Sequence, residues 1–328
     1  MRGVFARASS KGLAVLAAGA LVLSACSSSG GKEAEKAAEG DGPRLEVAMV
    51  THSAPGDTFW DIVQKGAKAA AAKDNVEFLY SADPDGGKQA QLVQAAIDKK
   101  VDGIIVTLAK PDAMKDVLAR AAAADIPVVS INSGQEESAE LGAVAHFGQD
   151  ESIAGEAAGA QLSEVGAKKA LCVIHEQGNV GLEARCDGAR KTFDGELENL
   201  FVQGANMPDV KSSITAKLQS DKSIDGILTL GAPFAATAAA VKKEVGSDAR
   251  IGTFDLNKDL IGFIKSGAIE FAVDQQPYLQ GYQAVEAVWL LKRNGNVLGG
   301  GRPVLTGPAI VTRDNAAELE QFADRGTR

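Results

Sequence analysis

The feature that most constrains this chain is an internal repeat with an offset of 123 residues. The stretch at 101–105 (VDGII) aligns at that offset with 224–228 (IDGIL). Residues that end apolar runs align in the same way: His52 with His175, and Asn132 with Asp255. Matches that recur in the same order along both halves predict two lobes built on one plan.

Within each half, short apolar runs alternate with segments of helical spacing. Leu45–Thr51 and Gly103–Thr107 are runs of strand-forming residues, and Thr58–Lys73 carries apolar residues at the intervals of one helical face. The strand-like runs have few polar interruptions, which is typical of parallel strands covered on both faces. The sequence therefore predicts an α/β protein of two doubly wound parallel-sheet lobes. A helix at 278–292 and a strand at 304–311 fall outside the repeat, so we expect the chain to pass between the lobes three times.

The N-terminus carries the pattern of an export signal. Basic residues within the first eleven positions precede an apolar run at 13–23, which is too short to span a bilayer stably. The run ends in Leu23-Ser24-Ala25-Cys26, which resembles a lipobox and implies cleavage after residue 25 and acylation of Cys26. The alternative is an ordinary signal peptide with an incidental cysteine. Residues 26–43 are rich in Ser, Gly, Ala and Glu and predict a flexible tether.

Cysteine and charge content exclude several classes of site. After export two cysteines remain, Cys172 and Cys186, and an even number in an exported chain predicts one disulfide. Two buried free thiols are the alternative. The three histidines do not stand at metal-ligand spacing, so we expect neither a metal nor another cofactor. A net charge of −9 without a basic stripe argues against a nucleic-acid partner.

Polar residues stand directly after several of the predicted strands. In doubly wound sheets ligands bind outside the carboxyl ends of the strands, and two facing lobes form a cleft there. Polar side chains at such positions suit a sugar, because each hydroxyl both donates and accepts hydrogen bonds. The residues concerned are Ser53, Asn132, His175, Glu176 and Asp255.

Short motifs follow in order along the chain. They are Asp57-Thr58-Phe59-Trp60 before Gly66, VDGII at 101–105, IPVVSIN at 126–132, GQD at 148–150, RCDG at 185–188, TFD at 253–255 and DQQP at 274–277. Together they resemble the periplasmic sugar-binding proteins of the ribose/galactose type, the solute receptors of ABC importers. The resemblance covers about residues 44–315.

The family resemblance implies a periplasmic-binding-protein-like type I fold with a three-strand hinge. Lobe 1 would comprise residues 44–148 and 276–300, and lobe 2 residues 149–275 and 301–328. It also implies an extracytoplasmic receptor that binds a sugar or sugar-like polyol and delivers it to an ABC permease and its ATPase subunit. We expect a monomer that is held at the cell membrane by a lipid on Cys26.

The resemblance assigns roles to residues of the first lobe. Asp57 would bind hydroxyls, and Phe59 or Trp60 would stack on the apolar C–H face of a ring. Because adjacent positions on a helix cannot both face the core, we expect at least one of these aromatic rings in the cleft. Two core residues are the alternative. Asn132 stands where the family usually has Asp, and Ser133 where the ribose type has Arg, which argues against a pentose.

In the second lobe, Arg185 falls on the family's sugar-gripping arginine, whose forked guanidinium would bind two neighbouring hydroxyls. A surface arginine is the alternative. Asp255 matches the strand-end carboxylate, and Gln275 matches the hinge glutamine. The family often has Asn-Asp where this chain has Gly231-Ala232, so a hydrogen-bonding group is missing there. Two residues are candidates to replace it, Glu176 and His175. A structural role fits His175 equally well.

Other functional classes fit the sequence less well. No G-x-S-x-G, G-K-S/T or strand-following G-x-G-x-x-G motif occurs. Asp57 and Asp255 would resemble a glycosidase pair, but nothing apolar isolates one of them as an acid. The effector domain of a sugar-responsive repressor would begin with a helix-turn-helix rather than an export signal. The alternative that stays open is a lipoprotein that senses a sugar, nucleoside or furanosyl signal without transport.

Overall fold

The computed structural model describes residues 43–328, so the lipobox with Cys26 and nearly all of the predicted tether lie outside the described residues. From residue 45 onward, strands and helices alternate. The first half contains β1 (Leu45–Thr51), α1 (Thr58–Lys73), β2 (Val76–Ala82), α2 (Gly86–Lys99), β3 (Gly103–Thr107), α3 (Pro111–Ala123), β4 (Val128–Ile131), α4 (Gln135–Ser138) and β5 (Ala143–Gln149).

The second half repeats this pattern and ends with additional elements, which include a short 3₁₀ helix (Leu298–Gly301). It contains α5 (Glu151–Glu164), β6 (Lys169–Ile174), α6 (Val180–Thr192), β7 (Glu196–Phe201), α7 (Met207–Ser220), β8 (Gly226–Thr229), α8 (Ala232–Val245), β9 (Arg250–Phe254), α9 (Lys258–Ser266) and β10 (Phe271–Asp274). The other additional elements are α10 (Pro277–Asn294), β11 (Val304–Gly307), β12 (Ala309–Thr312) and α11 (Ala316–Asp324).

The strands of residues 43–328 form two six-stranded sheets with equivalent strand order. Their orders are β11-β5-β4-β3-β1-β2 and β12-β10-β9-β8-β6-β7. The pairs are parallel, apart from the antiparallel pair of β10 and β12. The predicted fold class is therefore confirmed, and the sequence repeat is a repeat of strand order.

The segment at 304–311, predicted as one strand, is two strands in two different sheets. A cis peptide bond joins Gly307 to Pro308 between them. Val304–Gly307 pairs with β5 of the first sheet, whereas Ala309–Thr312 pairs with β10 of the second. The predicted lobe boundary between residues 300 and 301 is therefore too early, because the third crossing lies at Gly307-Pro308. The other two crossings follow β5 and β10.

Pairs of glycines let helices pack closely on one face of each sheet. A side chain on Gly66 of α1 would clash with the Tyr278 carbonyl of α10, and one on Gly281 of α10 would clash with the Val63 carbonyl. A side chain on Gly155 of α5 would likewise clash with the Arg185 carbonyl of α6. These close contacts cover the sheet faces and hold α1 and α6 in position, and both helices begin at the cleft.

Cys172 of β6 and Cys186 of α6 are joined by a disulfide with a Cα–Cα distance of 5.9 Å. The bond ties the middle of α6 to β6, which lies beside the edge strand β7 of the second sheet. It therefore fixes the helix turn that carries Arg185. Within residues 43–328, no helix has both the length and the apolar character needed to cross a membrane.

Candidate functional site

The carboxyl ends of the two sheets face each other across two contiguous cavities. The inner cavity is small, about 40 Å³, and lies against the hinge. The outer cavity is about 670 Å³ and opens from it. Residues of both lobes line the boundary that the cavities share: His52, Asp57, Trp60, His175, Pro233 and Phe234.

A chain of hydrogen bonds crosses the hinge side of the inner cavity from lobe to lobe. The Asn132 amide donates to Gln275 Oε1 over 3.0 Å, and Gln275 Nε2 donates to Asp255 Oδ1 over 2.7 Å. Gln280 of α10 also donates to Gln275 Oε1, over 2.9 Å. The structure thus brings together the three predicted residues and adds Gln280, which sequence reasoning missed.

Asn132 and Asp255 occupy the same backbone position in the two halves. Each follows a central strand with a left-handed φ, 63° at Asn132 and 65° at Asp255. Asn and Asp tolerate this conformation better than other residues with a side chain, because they can hydrogen-bond locally. The conformation turns the chain sharply at the strand end, where both side chains line the inner cavity.

Asp255 is an unusual carboxyl group. Burial raises its pKa to about 7, although the Arg185 guanidinium and the Gln275 amide both act to lower it. Near neutral pH the group therefore exists in both protonation states. It can accept a hydrogen bond as a carboxylate or donate one as an acid.

Asp57, Phe59 and Trp60 form the wall of the first lobe. Asp57 caps helix α1, with Oδ1 accepting from the Phe59 N–H over 3.0 Å, and burial raises its pKa to about 6. The two aromatic rings meet edge to face at 5.0 Å. Both line the inner cavity while packing into the core of the first lobe. The predicted cleft position and the alternative core position of the two rings are therefore both correct, because the inner cavity adjoins the core of the first lobe.

Arg185 lines the inner cavity, but its guanidinium is already hydrogen-bonded to other groups of the protein. Nε donates to Glu151 Oε2 over 2.6 Å, and Nη2 donates to Glu151 Oε1 over 2.8 Å. Nη1 donates to the Leu230 carbonyl over 3.3 Å, and the guanidinium lies over the Phe254 ring at 4.6 Å. In this arrangement the fork that was expected to bind two hydroxyls is bound to Glu151. Two of the five guanidinium N–H groups have no partner among the described residues.

Glu151 is the most important residue that sequence reasoning missed. It begins α5 directly after the first hinge crossing and also accepts from Gln149 Nε2 over 2.9 Å. Arg185 and Glu151 are 3% and 6% exposed, so each charge depends on the other for compensation. The GQD motif at 148–150 ends one residue before this carboxylate, and that proximity was the only sequence signal.

A second hydrogen-bond network surrounds His52. Thr107 Oγ1 accepts from the backbone N–H of His52 and from Gln89 Nε2, each over 3.0 Å. The same oxygen lies 2.8 Å from His52 Nδ1, and on the other side of the ring Asn179 Nδ2 lies 3.3 Å from Nε2. Burial lowers the pKa of His52, which favours the neutral ring. His52 is thus held by contacts at both ring nitrogens, one from each lobe.

Glu176 connects the lobes at the edge of the outer cavity. Its Oε1 lies 3.0 Å from Lys110 Nζ, and its Oε2 lies 3.7 Å from His52 Nε2. Asn179 Nδ2 donates to the same Oε2 over 2.9 Å. The predicted residue is thus at the cleft, where it pairs with Lys110 of the first lobe. Lys110 and Asn179 were not predicted.

His175 and Ser53 have different outcomes. His175 lines both cavities and stacks on Phe234 at 4.1 Å. Burial lowers its pKa to about 3, so the ring is neutral, and Nδ1 has no hydrogen-bond partner within residues 43–328. Ser53 lies outside both cavities and donates to the Ala54 carbonyl over 3.2 Å. The structure therefore does not bring Ser53 to the site.

The sequence comparison decides the family. A protein-family sequence model described as a periplasmic binding protein domain matches residues 47–296, which is well over half of the chain. The chain belongs to the periplasmic binding protein family. The resemblance carried by the sequence motifs is confirmed, and so is the assignment as a solute-binding receptor rather than an enzyme. Membership implies an extracytoplasmic location.

Three relatives of this periplasmic binding protein illustrate the similarity. A carbohydrate transporter structure from Acidothermus cellulolyticus, in complex with myo-inositol, is 51% identical with a TM-score of 0.86, covering 87% of this chain and 100% of that one. The ribose import binding protein of Bacillus subtilis is 26% identical over 280 residues, 83% of this chain and 90% of the relative. The xylose/arabinose-binding protein of Sulfolobus acidocaldarius is 25% identical over 271 residues, 76% of this chain and 66% of the relative.

Proposed function

We propose that this periplasmic binding protein is a lipid-anchored receptor for a cyclitol of the myo-inositol type, which it delivers to an ABC permease and its ATPase. The observation that carries the proposal is the chain Asn132–Gln275–Asp255, which faces Phe59 and Trp60 across the inner cavity. A ring between them buries its C–H face against the aromatic wall and satisfies its hydroxyls at the edges. The myo-inositol complex of the 51% identical structure supports the choice of ring.

The donors and acceptors of the site suit a ring that carries hydroxyls all around its edge. Asp57 and Asp255 supply acceptors from opposite lobes. The two unused N–H groups of Arg185 add donors whose direction is fixed by Glu151. Asn132 and Ser133 carry no charge where the ribose type has Asp and Arg, which favours a cyclitol over a pentose.

The two lobes give binding a conformational consequence. A ring held by both lobes binds the closed form better than the open form, so ligand shifts the hinge population toward closure. The inner cavity of about 40 Å³ holds little more than one water molecule, so the lobes must separate to admit a ring. A permease that recognises the closed form then receives loaded receptor in preference to empty receptor.

The ligand assignment is tested by thermal shift and calorimetry with myo-inositol, hexoses, pentoses and nucleosides. At a hundredfold excess over Kd, the cognate ligand adds about 2.7 kcal/mol of stability. Asn132→Ala removes a donor of the hinge chain and weakens binding, whereas Ser53→Ala, which lies outside both cavities, is the matched control. A response to a pentose or a nucleoside but not to myo-inositol contradicts the assignment.

The lipid anchor rests on the motif that ends at Cys26, and it is tested independently of the ligand. Cys26→Ser releases the protein from the membrane fraction if the thiol carries the acyl chain. A variant that stays membrane-bound to the same extent contradicts the anchor. Uptake of labelled myo-inositol by cells that lack the receptor separates transport from signalling alone.

A further inference from the structure

The outer cavity is far larger than the inner one, and most of the residues that line it do not line the inner cavity. Its volume of about 670 Å³ lies within the range of ligand pockets in proteins, about 300–1,000 Å³. Second-lobe residues from the end of β7 and the start of α7 supply much of its lining, including Phe201 and Met207. A ring in the inner cavity would leave most of this volume empty.

The wall of the outer cavity has an apolar surface that the fold does not cover. Phe201 is 49% exposed, one of four large apolar side chains at such exposure in the described part of the chain. The other three, Ile153 among them, line neither cavity. Next to Phe201 stand Gln203 and Asp209, and Asp209 Oδ2 accepts from the Gln203 N–H over 3.0 Å. An aromatic face beside a few polar groups suits the C–H face and hydroxyls of a sugar ring.

The charges of the outer cavity favour a neutral occupant. Its lining holds three carboxyl groups, those of Asp57, Glu176 and Asp209, against the single cation of Lys110. That cation already lies 3.0 Å from Glu176 Oε1. A phosphate or carboxylate there would meet uncompensated negative charge, which disfavours an anionic substituent.

We infer that the solute is a glycosyl-cyclitol, whose cyclitol ring occupies the inner cavity and whose neutral second ring lies on Phe201 in the outer cavity. The inference rests on the proposed function and extends it, because it names a second subsite. The six residues that line both cavities make the path continuous. One neutral glycosidic substituent can therefore extend from the inner cavity into the outer cavity without passing through protein atoms.

Calorimetry with two probes tests this inference, using myo-inositol and its galactoside, 1-O-α-D-galactosyl-myo-inositol. Packing of the second ring on the aromatic face makes the galactoside bind about two- to tenfold tighter than myo-inositol. Phe201→Ser removes that advantage and leaves the affinity for myo-inositol unchanged. Ile153→Ser is the matched control, since Ile153 is 51% exposed and lies outside both cavities, and it changes neither affinity.

The outcomes separate the two levels of the inference. Equal affinity for both probes, or a galactoside advantage that survives Phe201→Ser, overturns the second subsite while the cyclitol site stands. Weaker binding of the galactoside shows that the outer cavity closes on the ligand and equally overturns it. If neither probe binds, the proposed function fails and the second subsite fails with it.

Discussion

Breaking the Arg185–Glu151 pair should destabilise the ligand-free protein, and this prediction distinguishes a structural arginine from a free ligand-gripping one. Both side chains are buried, and the fork makes two hydrogen bonds to the carboxylate, of 2.6 and 2.8 Å. In Glu151→Gln the guanidinium keeps a neighbour of the same shape but loses its counter-charge. In Arg185→Ala the carboxylate of Glu151 is the group left buried without compensation.

The size of the effect follows from the burial of the pair. Removing one partner of a buried ion pair costs about 3–5 kcal/mol, because the other charge stays desolvated. In a chain of this size about 2 °C of Tm corresponds to 1 kcal/mol, so either variant lowers the Tm by roughly 6–10 °C. Replacing both residues, as in Arg185→Met with Glu151→Leu, removes the unpaired charge and restores most of the loss.

Differential scanning calorimetry without ligand measures the effect. Lys191→Ala is the matched control, because Lys191 of α6 pairs with Glu156 of α5 between the same two helices but is 57% exposed. Exposed pairs contribute about 0–1 kcal/mol, so the control leaves the Tm nearly unchanged. An Arg185→Ala protein that melts like the control, yet binds ligand far more weakly, refutes the reasoning. Arg185 would then be free to grip the solute.

Three further predictions follow from buried groups elsewhere. Burial raises the pKa of Asp255 to about 7 from its ordinary 3.8, so its contribution to stability is complete below about pH 4 and is lost as the pH rises through 7. The stability of the wild type relative to Asp255→Asn, measured as the difference between their apo Tm values, therefore falls from about pH 5 to 8. Replacing Cys172 and Cys186 by Ala costs about 3 kcal/mol, and peptide mapping without reduction finds the two joined. Arg328→Met leaves the fully buried Asp274 carboxylate without its 2.6 Å partner and lowers stability by about 3 kcal/mol, unless Asp274→Asn accompanies it.

The sequence predicts the sheets well because buried parallel strands leave a direct signal. Runs such as Gly103–Thr107 are apolar throughout, and every residue of that strand is buried. The prediction is weakest around β5 and α5, which sequence reasoning did not identify. Strand β5 contains His146 and Gln149, and α5 has small residues around much of its surface, so neither shows a clear period. Small residues are needed there because α5 packs closely on α6.

The positions of site residues are more predictable than their partners. The rule that ligands bind at strand ends locates Asn132 and Asp255 without any structure. The partner of Arg185 is Glu151, 34 residues earlier in the chain, and no local pattern joins them. Whether an arginine at a cleft binds solute or a carboxylate therefore depends on tertiary packing.

The repeat also explains where the two lobes must differ. His52 and His175 are equivalent by the offset of 123, and the position equivalent to Thr107 is Leu230. The Thr107 hydroxyl lies 2.8 Å from Nδ1 of His52, whereas Leu230 has no such group and Nδ1 of His175 has no partner within residues 43–328. His52 is therefore held by hydrogen-bonding contacts at both ring nitrogens, whereas His175 is held by stacking on Phe234. A ring between them meets a hydrogen-bonded imidazole on one side and a stacked imidazole on the other, so the two halves of the repeat do not present the same surface to the ligand.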